Sequence, residues 1–399
     1  DYVVQPLPVD NFSISHVDGK TIGLSWRPAM DTLEPTAEPE KYMLYQRVGN
    51  FGFNNGVIID DTSVVITLKN YDQIYSFKVS ALNSGGESFP GEILSAGFVE
   101  GSDRIALVVN GFNRICGPAI VDNEDMAGFS MWNDHGVPYK NEMGYTGSPY
   151  DFNRNSPWLD DDSPGWGASY GDIEGKLLPG NSFDFPFIHG EAIMAAGYSF
   201  VSVSDEVFSN DSYNSEPFNF IDIIYGEEKN TSSLKDNSII KYKVFAPAVR
   251  QKIKQYTESG GNLFISGAYI ASDYILNDDT LAKKFAESVL HYSWRTNHAV
   301  KNGEVFATDY ARQIFNGKWI FNTTYNPDIY IVEAPDAIEP FGEGAVTAFR
   351  YGENNSSAGI CFKGEYKTVV LGFPFETIIE KNQRIDFMKQ LVNFFEKDN

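Results

Sequence analysis

At 399 residues the chain is longer than one hydrophobic core usually holds, so two folded parts are expected. With 42% hydrophobic and 21% charged residues it reads as a soluble globular protein. A formal charge of −23 argues against nucleic-acid binding, which needs basic surface, and against adhesion to anionic lipid, so a polyanionic ligand would require a local basic spot.

The opening "DYVVQPLPVD" has no Met and reads as a piece cut from something longer, so further N-terminal domains of the same polypeptide are expected partners. Residues 1–99 read as all-β. "TIGLSWRP", "KYMLYQRV", "GVIIDD", "SVVITL" and "IYSFKVSAL" are short alternating or β-branched runs separated by Asp, Asn, Gly and Pro, the spacing of a sandwich. Trp26 sits in mid-strand as the expected central aromatic. With Pro6 to Pro8 at entry, Tyr42, Leu68, Tyr75 and "SALNSGGES", the segment resembles a fibronectin type III domain. That resemblance implies an immunoglobulin-like sandwich serving as spacer or docking module, in bacteria mostly within exported proteins.

From Arg104 the pattern changes. "RIALVVNG", "YSFVSVSDE", "FNFIDIIYG" and "NLFISG" are buried strands. "HGEAIMAAG" reads as a short helix with His189 at its start. "PAVRQKIKQYTESGG" is a helix with Pro near its start and Gly-Gly at its end, "DTLAKKFAESVLHYSW" another, and "KNQRIDFMKQLVNFFEK" an amphipathic C-terminal one. "SAGICFKG" and "KTVVLGFPFE" form a hairpin around Gly364-Glu365. Alternating strands and helices predict an α/β part over 100–399, with a mostly parallel sheet covered on both faces in three layers. Residues 129–186, rich in Gly, Pro, Asn, Asp and aromatics, are expected as a long ordered loop insertion, and residues 300–357 as small strands added to an edge.

The segments "VRQKIKQYTESGGNLFISGAYIASD" and "VVLGFPFETIIEKNQRIDFMKQLVNFF" resemble the class I glutamine amidotransferase-like fold. In catalytic relatives the first ends in an elbow bearing a Cys, and the second carries a His shortly before a Glu. Here the elbow reads Gly267, Ala268, Tyr269, and Pro374 and Phe375 stand where the His is needed, ahead of Glu376. Thiolate attack needs both groups in reach, so glutamine amidotransfer is not expected. The two cysteines, Cys116 and Cys361, fit one disulfide or two free thiols, and Cys361 reads as core.

Polar residues at strand ends mark the expected cleft: Asn110 to Arg114, Asp205 with Glu206, Ser266, and Glu376. If the chain is catalytic, Asn113, Arg114, His135, Asp205 and Glu376 are the candidates. Asn110, Asn113 and Arg114 of "NGFNR" could neutralise a uronate, with His135, Tyr139 or Tyr170 as base. Asp122, Glu124 and Asp125 with Asp205 could act as hydrolytic carboxylates. Asn110, Phe112, Asp122, Glu124, Asp125, Trp132, Tyr139 and Ser266 are the candidate ligand-binding set. The plain alternatives are a tight turn for "NGFNR", a solvated loop for "DNEDMAG", capping for Asp205, Glu206 and Glu376, and a simple turn at Ser266-Gly267. No dinucleotide or resident metal is expected, although "LDDDS" at 159–163 could gather oxygens around Ca²⁺.

The order of modules, with "RIALVVNGFNRICGP" and "GFPFET", resembles the C-terminal part of exported bacterial proteins labelled xanthan lyase or cell-wall amidase. It implies a secreted, periplasmic or cell-surface location and a saccharide or peptidoglycan-type ligand. Three functions stay open: accessory binding modules, a polysaccharide lyase or hydrolase working at the strand ends, or a structural scaffold for the N-terminal part of the same polypeptide. No apolar run reaches the ~18 residues of a membrane span.

Overall fold

The structure is a computed structural model; it describes residues 2–88, 90–113, 119–122, 127–130, 184–232, 240–324, 326, 329–332 and 334–397. The chain divides into two compact units. One comprises Asp1–Asn113, Phe183–Phe321 and Ala334–Asn399, the other Arg114–Ser182 and Asn322–Glu333.

Eight strands open the first unit: β1 (Asp10–Asp18), β2 (Thr21–Arg27), β3 (Lys41–Val48), β4 (Val57–Ile59), β5 (Ser63–Thr67), β6 (Ile74–Asn83), β7 (Gly86–Glu87) and β8 (Leu94–Gly97). β1, β2 and β5 pair antiparallel as one layer. β4, β3, β6 and β8 form the other, with β7 on β6. In β2 the alternation puts Ile22, Leu24 and Trp26 inside. Trp26 meets Phe12 and Tyr42 edge-on, at centroid distances of 6.4 and 5.5 Å. The Tyr75 hydroxyl accepts a hydrogen bond from the Asn70 backbone N–H at 3.0 Å, five residues upstream. A tyrosine tying down the corner before its own strand is a mark of immunoglobulin-like sandwiches. With this strand pairing it makes the segment fibronectin type III-like.

β9 (Ile105–Asn110) follows. In the second unit, β10 (Ala119–Asp122) and β11 (Ala127–Ser130) form an antiparallel pair. The first unit resumes with α1 (Phe185–Ala195), β12 (Ser199–Ser204), α2 (Asp205–Phe208), β13 (Phe220–Gly226), β14 (Thr231–Ser232), β15 (Ile240–Tyr242), α3 (Pro247–Glu258) and β16 (Asn262–Gly267). Then come α4 (Ser272–Leu276), α5 (Thr280–Phe285), β17 (Tyr292–Thr296), β18 (Glu304–Ala307), β19 (Lys318–Ile320), β20 (Ala337–Pro340), β21 (Ala345–Tyr351), β22 (Ser357–Lys363), β23 (Lys367–Leu371) and α6 (Lys381–Glu396).

The expected fold class is overturned. Among the described residues seventeen strands join into a single mixed sheet, and the fold is mostly β rather than a mostly parallel three-layer α/β protein. Among the described residues, parallel ladders are confined to β12–β9–β13–β16–β23. Beyond β23 the sheet continues antiparallel through β22, β21, β18 and β19. Single bridges, Ser13 to Val203 and Phe200 to Gly97, carry the pairing from β12 into the sandwich. Continuous apolar runs mark each parallel strand in the sequence. They say nothing of how many antiparallel partners the short, partly polar strands between 300 and 357 will add.

Paired residues of a parallel ladder face the same side. Val201, Val203, Leu107, Val109, Ile221, Ile223, Leu263, Ile265 and Val370 face one way, into a core shared with Val249, Ile253 and Tyr256 of α3. The other face carries two level rows. The first is Ser202, Val108, Asp222, Phe264 and Val369; the second, two residues on, is Ser204, Asn110, Ile224, Ser266 and Leu371. Helices α1 and α6 pack together on this polar-studded face. Asp184 ahead of α1 receives a forked pair of hydrogen bonds from Arg47 of β3, at 2.6 and 2.7 Å, which ties the helix to the sandwich.

Candidate functional site

The second row ends where the strands end, and there the predicted residues begin to meet. Asn110 closes β9, and its amide Nδ2 donates to Glu92 Oε2 at 2.6 Å. Glu92 comes from the sandwich segment between β7 and β8, which sequence reasoning passed over. Three residues past Asn110, the Asn113 amide Nδ2 donates to Asp205 Oδ1 at 2.5 Å, and its backbone N–H to Glu228 Oε2 at 2.7 Å. Asp205 follows β12 directly but does not cap α2; Ser204 does, accepting from the Val207 N–H at 3.3 Å. The capping alternative for Asp205 therefore fails, and its carboxylate is left to the cluster.

The electrostatics of this set are those of crowded acids. Burial first, then the charges of Glu206, Glu228 and Glu92, hold the Asp205 carboxyl well above its ordinary range against the lowering bond from Asn113. Burial and Glu206 do the same to Glu92 against its bond from Asn110. Burial and Glu206 also raise Asp10 of β1, with Arg27 opposing. Asp205 and Glu92 are half-buried and Glu206 is exposed. The Asn110 side chain is fully buried, and its Oδ1 has no hydrogen-bond partner among the described residues.

Glu376 answers to a different group. It follows β23 in a short helical turn and is buried. Its Oε2 lies 3.2 Å from His189 Nε2, and Asp222 Oδ2 lies 2.7 Å from His189 Nδ1. All three side chains are essentially inaccessible, at 0–1% exposure. His189 is not at a helix start as expected: α1 begins at Phe185, so the imidazole projects from its interior. Burial pulls the imidazole down, but the charge and hydrogen bond of Asp222, then those of Glu376, carry it up to about 9. Asp222 is raised by burial, lowered by His189 and raised again by Glu376. The arrangement is one imidazolium shared between two carboxylates, with both ring nitrogens engaged.

The remaining candidates separate from these groups. Phe112 is a core residue, stacked on Phe185 with centroids 5.6 Å apart. Ser266 is fully buried on the second row, and its Oγ has no partner among the described residues. Asp122 ends β10 in the second unit, paired with Ala127. Arg114, Glu124, Asp125, Trp132, His135, Tyr139, Tyr170, the "LDDDS" stretch and Cys116 lie outside the described residues.

The elbow after β16 carries no nucleophile: Ala268 and Tyr269 are buried, and the Ala268 N–H is bound to the Gly226 carbonyl at 2.8 Å. Cys361 lies buried in β22, and burial pushes its thiol up to about 12. Peptide-resolved alkylation of the native chain should therefore leave Cys361 unmodified until denaturant is added; rapid native labelling would contradict its placement. An open polar cleft of about 640 Å³, lined by residues such as Tyr213, Phe218, Lys252 and Gln255, contains none of the predicted site residues.

The signal for His189 was present but distant. "FIDIIYG" puts a carboxylate in the middle of a buried strand, and a buried charge demands a partner. That partner lies 33 residues earlier in sequence, and Glu376 lies 187 residues after it.

No family model matches the chain, and no curated protein matches it. Among solved structures, it is similar to the twitchin kinase region from C. elegans, 21% identical with a TM-score of 0.22, over 24% of this chain and 17% of that one. It is similar to the fibronectin type-III domain of human fibronectin type III domain containing protein 3, 21% identical with a TM-score of 0.21, over 25% of this chain and 91% of that one. It is also similar to domains d3–d4 of the rat CD45 extracellular region, 19% identical with a TM-score of 0.20, over 23% and 49%. Each likeness covers about a quarter of this chain, so the description of the sandwich rests on its own strand pairing and on Tyr75. Among the described residues no helix is long and apolar enough to cross a membrane.

Proposed function

We propose that this chain is a ligand-binding, non-catalytic accessory part of an exported bacterial protein that processes polysaccharide or cell wall, and that it holds a saccharide or peptidoglycan-type ligand at the strand ends beside the sandwich. Within it, residues 1–99 and 100–399 act as two modules that build one site. The observation that carries this reading is the state of the acid–base groups. The buried imidazole of His189 is held at both nitrogens by Asp222 and Glu376, so it has no free lone pair with which to take a proton. The strand-end set of Asn110, Asn113, Asp205 and Glu92 offers amides and carboxyls, which hydrogen-bond a ligand without needing to transform it.

The test uses the whole chain with acidic polysaccharide fragments and with cell-wall fragments. Heat released on binding, with no ultraviolet absorbance from unsaturated uronates and no amide cleavage, is the expected result. Either product forming at a rate that Asp205→Asn abolishes would overturn the reading in favour of a lyase or hydrolase.

A further inference from the structure

The sandwich is more than a support, because it reaches into the strand-end cluster. Glu92 enters from the segment before β8, Asn110 from the end of β9, and Asp205 from the end of β12. Three independent chain segments thus deliver oxygen acceptors to one place. Asn113 adds an amide that steadies Asp205, and Glu206 stands exposed at the edge. Two features of this set are unusual for a purely structural network. Glu92 and Asp205 each take a hydrogen bond from a different asparagine amide, with no ion pair to a lysine or arginine at Asp205, Glu92 or Glu206 among the described residues. The Asn110 Oδ1, in a side chain with 0% exposure, is left without a hydrogen-bond donor although its own amide nitrogen is bound to Glu92. A buried carbonyl oxygen left unpaired costs stability, and such groups persist where something else supplies the missing donor.

We propose that the strand ends and the sandwich together form a binding site for a primary ammonium group, which Asn110 Oδ1, Glu92 and Asp205 accept and Glu206 attracts. This rests on the reading that the strand ends bind a ligand, and it names the chemistry that ligand presents: a saccharide bearing a free amine. An ammonium carries three donors and no acceptor, which matches a set made of one amide oxygen and two carboxylates. Its hydrogen bonds to carboxylates are charge-assisted, at about 2.7–2.9 Å. A divalent cation would need several oxygens converging at about 2.3–2.6 Å. Among the described residues no three His, Cys, Asp or Glu converge in that way. Burial first, and the charge of Glu206 second, raise the carboxyls of Asp205 and Glu92, and a cation arriving beside them favours their charged forms against both effects.

Two substitutions test it. Asp205→Asn and Glu92→Gln keep the shape and remove one charge each. Asp205 has its folded pKa raised above 3.8, so stability is fully present below that value and is lost as pH rises through the raised one. Both variants should therefore unfold at a higher temperature than the parent at pH 7, with the gain vanishing as pH falls below about 4.

The binding experiment compares a β-1,4 tetramer of glucosamine with its fully N-acetylated counterpart, by calorimetry on the whole chain at physiological salt. The free-amine tetramer should bind at least about tenfold tighter, the worth of one charge-assisted hydrogen bond. Each substitution should bring that ratio close to one. Equal affinity for the two tetramers overturns the proposal while leaving saccharide binding intact. So does a ratio that survives both substitutions, because the preference would then come from the general acidity of the chain. Calcium chloride alone, titrated in parallel, overturns it if it binds in the parent, is lost in both variants and displaces the free-amine tetramer.

Discussion

Replacing His189 by alanine is expected to destabilise the fold by about 3–5 kcal/mol at pH 7, the range for removing one partner of a buried charged pair. The substitution would leave Asp222 and Glu376 facing a cavity with no cation between them. It would also remove a ring that packs edge-on against Phe375, with centroids 4.8 Å apart, and near Phe264 at 6.4 Å. The pH dependence has a definite sign. The folded pKa of about 9 stands above the ordinary 6.5, so the stabilisation is fully present below pH 6.5 and is lost as pH rises through about 9. Urea unfolding of the parent and of His189→Ala between pH 6 and 10 should show two curves converging above pH 9. His189→Gln, which keeps volume and a hydrogen-bonding end, should fall between them at neutral pH. A loss below about 1 kcal/mol for His189→Ala at pH 7 would show that the two carboxylates do not depend on the imidazolium.

Gly372→Ala is expected to be the other costly single change, toward the upper end of the roughly 1–3 kcal/mol that overpacking costs. A Cβ built on Gly372 would stand 2.0 Å from the Asp336 carbonyl oxygen. That oxygen cannot easily retreat. The Asp336 N–H donates to the Gly372 carbonyl at 2.8 Å, and the Tyr351 hydroxyl donates to the Asp336 carbonyl at 2.7 Å. The Asp336 carboxylate is pinned as well, accepting from the backbone N–H groups of Ala271 and Ser272, both at 2.8 Å. Because Gly372 leads directly into the segment that presents Glu376, relaxation of the clash should displace that carboxylate from His189. The double variant Gly372→Ala/His189→Ala should accordingly lose less than the sum of the single losses. Strict additivity in urea unfolding would show that the two sites are not mechanically linked.

The sequence revealed local features and hid distant ones. The sandwich could be read because its signals are short-range: alternation in "TIGLSWR", a mid-strand Trp26, and a Tyr75 that closes onto Asn70 only five residues back. The parallel strands could be found one by one from "IALVVN", "SFVSVS", "FIDIIYG" and "NLFISG". Their proportion in the whole could not, because it depends on how β18, β19 and β21 pair across long separations. The helix expected through Trp294 ends earlier. His291 takes a left-handed backbone (φ 61°), and its ring stacks on Phe362 at 3.5 Å, a tertiary contact that overrides the local helical pattern.

The candidate site divides along the same line. Asn113 and Asp205 read from sequence as polar residues at strand ends, and a hydrogen bond joins them. Glu376 reads the same way, but its imidazole partner comes from a helix 187 residues earlier. Glu92 carries no local signal, because "GEIL" reads as an ordinary sandwich loop. Only the docking of that loop beside Asn110 gives its carboxylate a role.

The most direct measurement follows a ligand through binding without chemistry. The whole chain is titrated with the glucosamine tetramer in a calorimeter, and the cell contents are then examined by mass spectrometry. The account predicts a saturable heat that Asp205→Asn weakens, with the tetramer recovered at unchanged mass. Recovery of shorter fragments or of unsaturated ends, formed by the parent chain and not by Asp205→Asn, would contradict it.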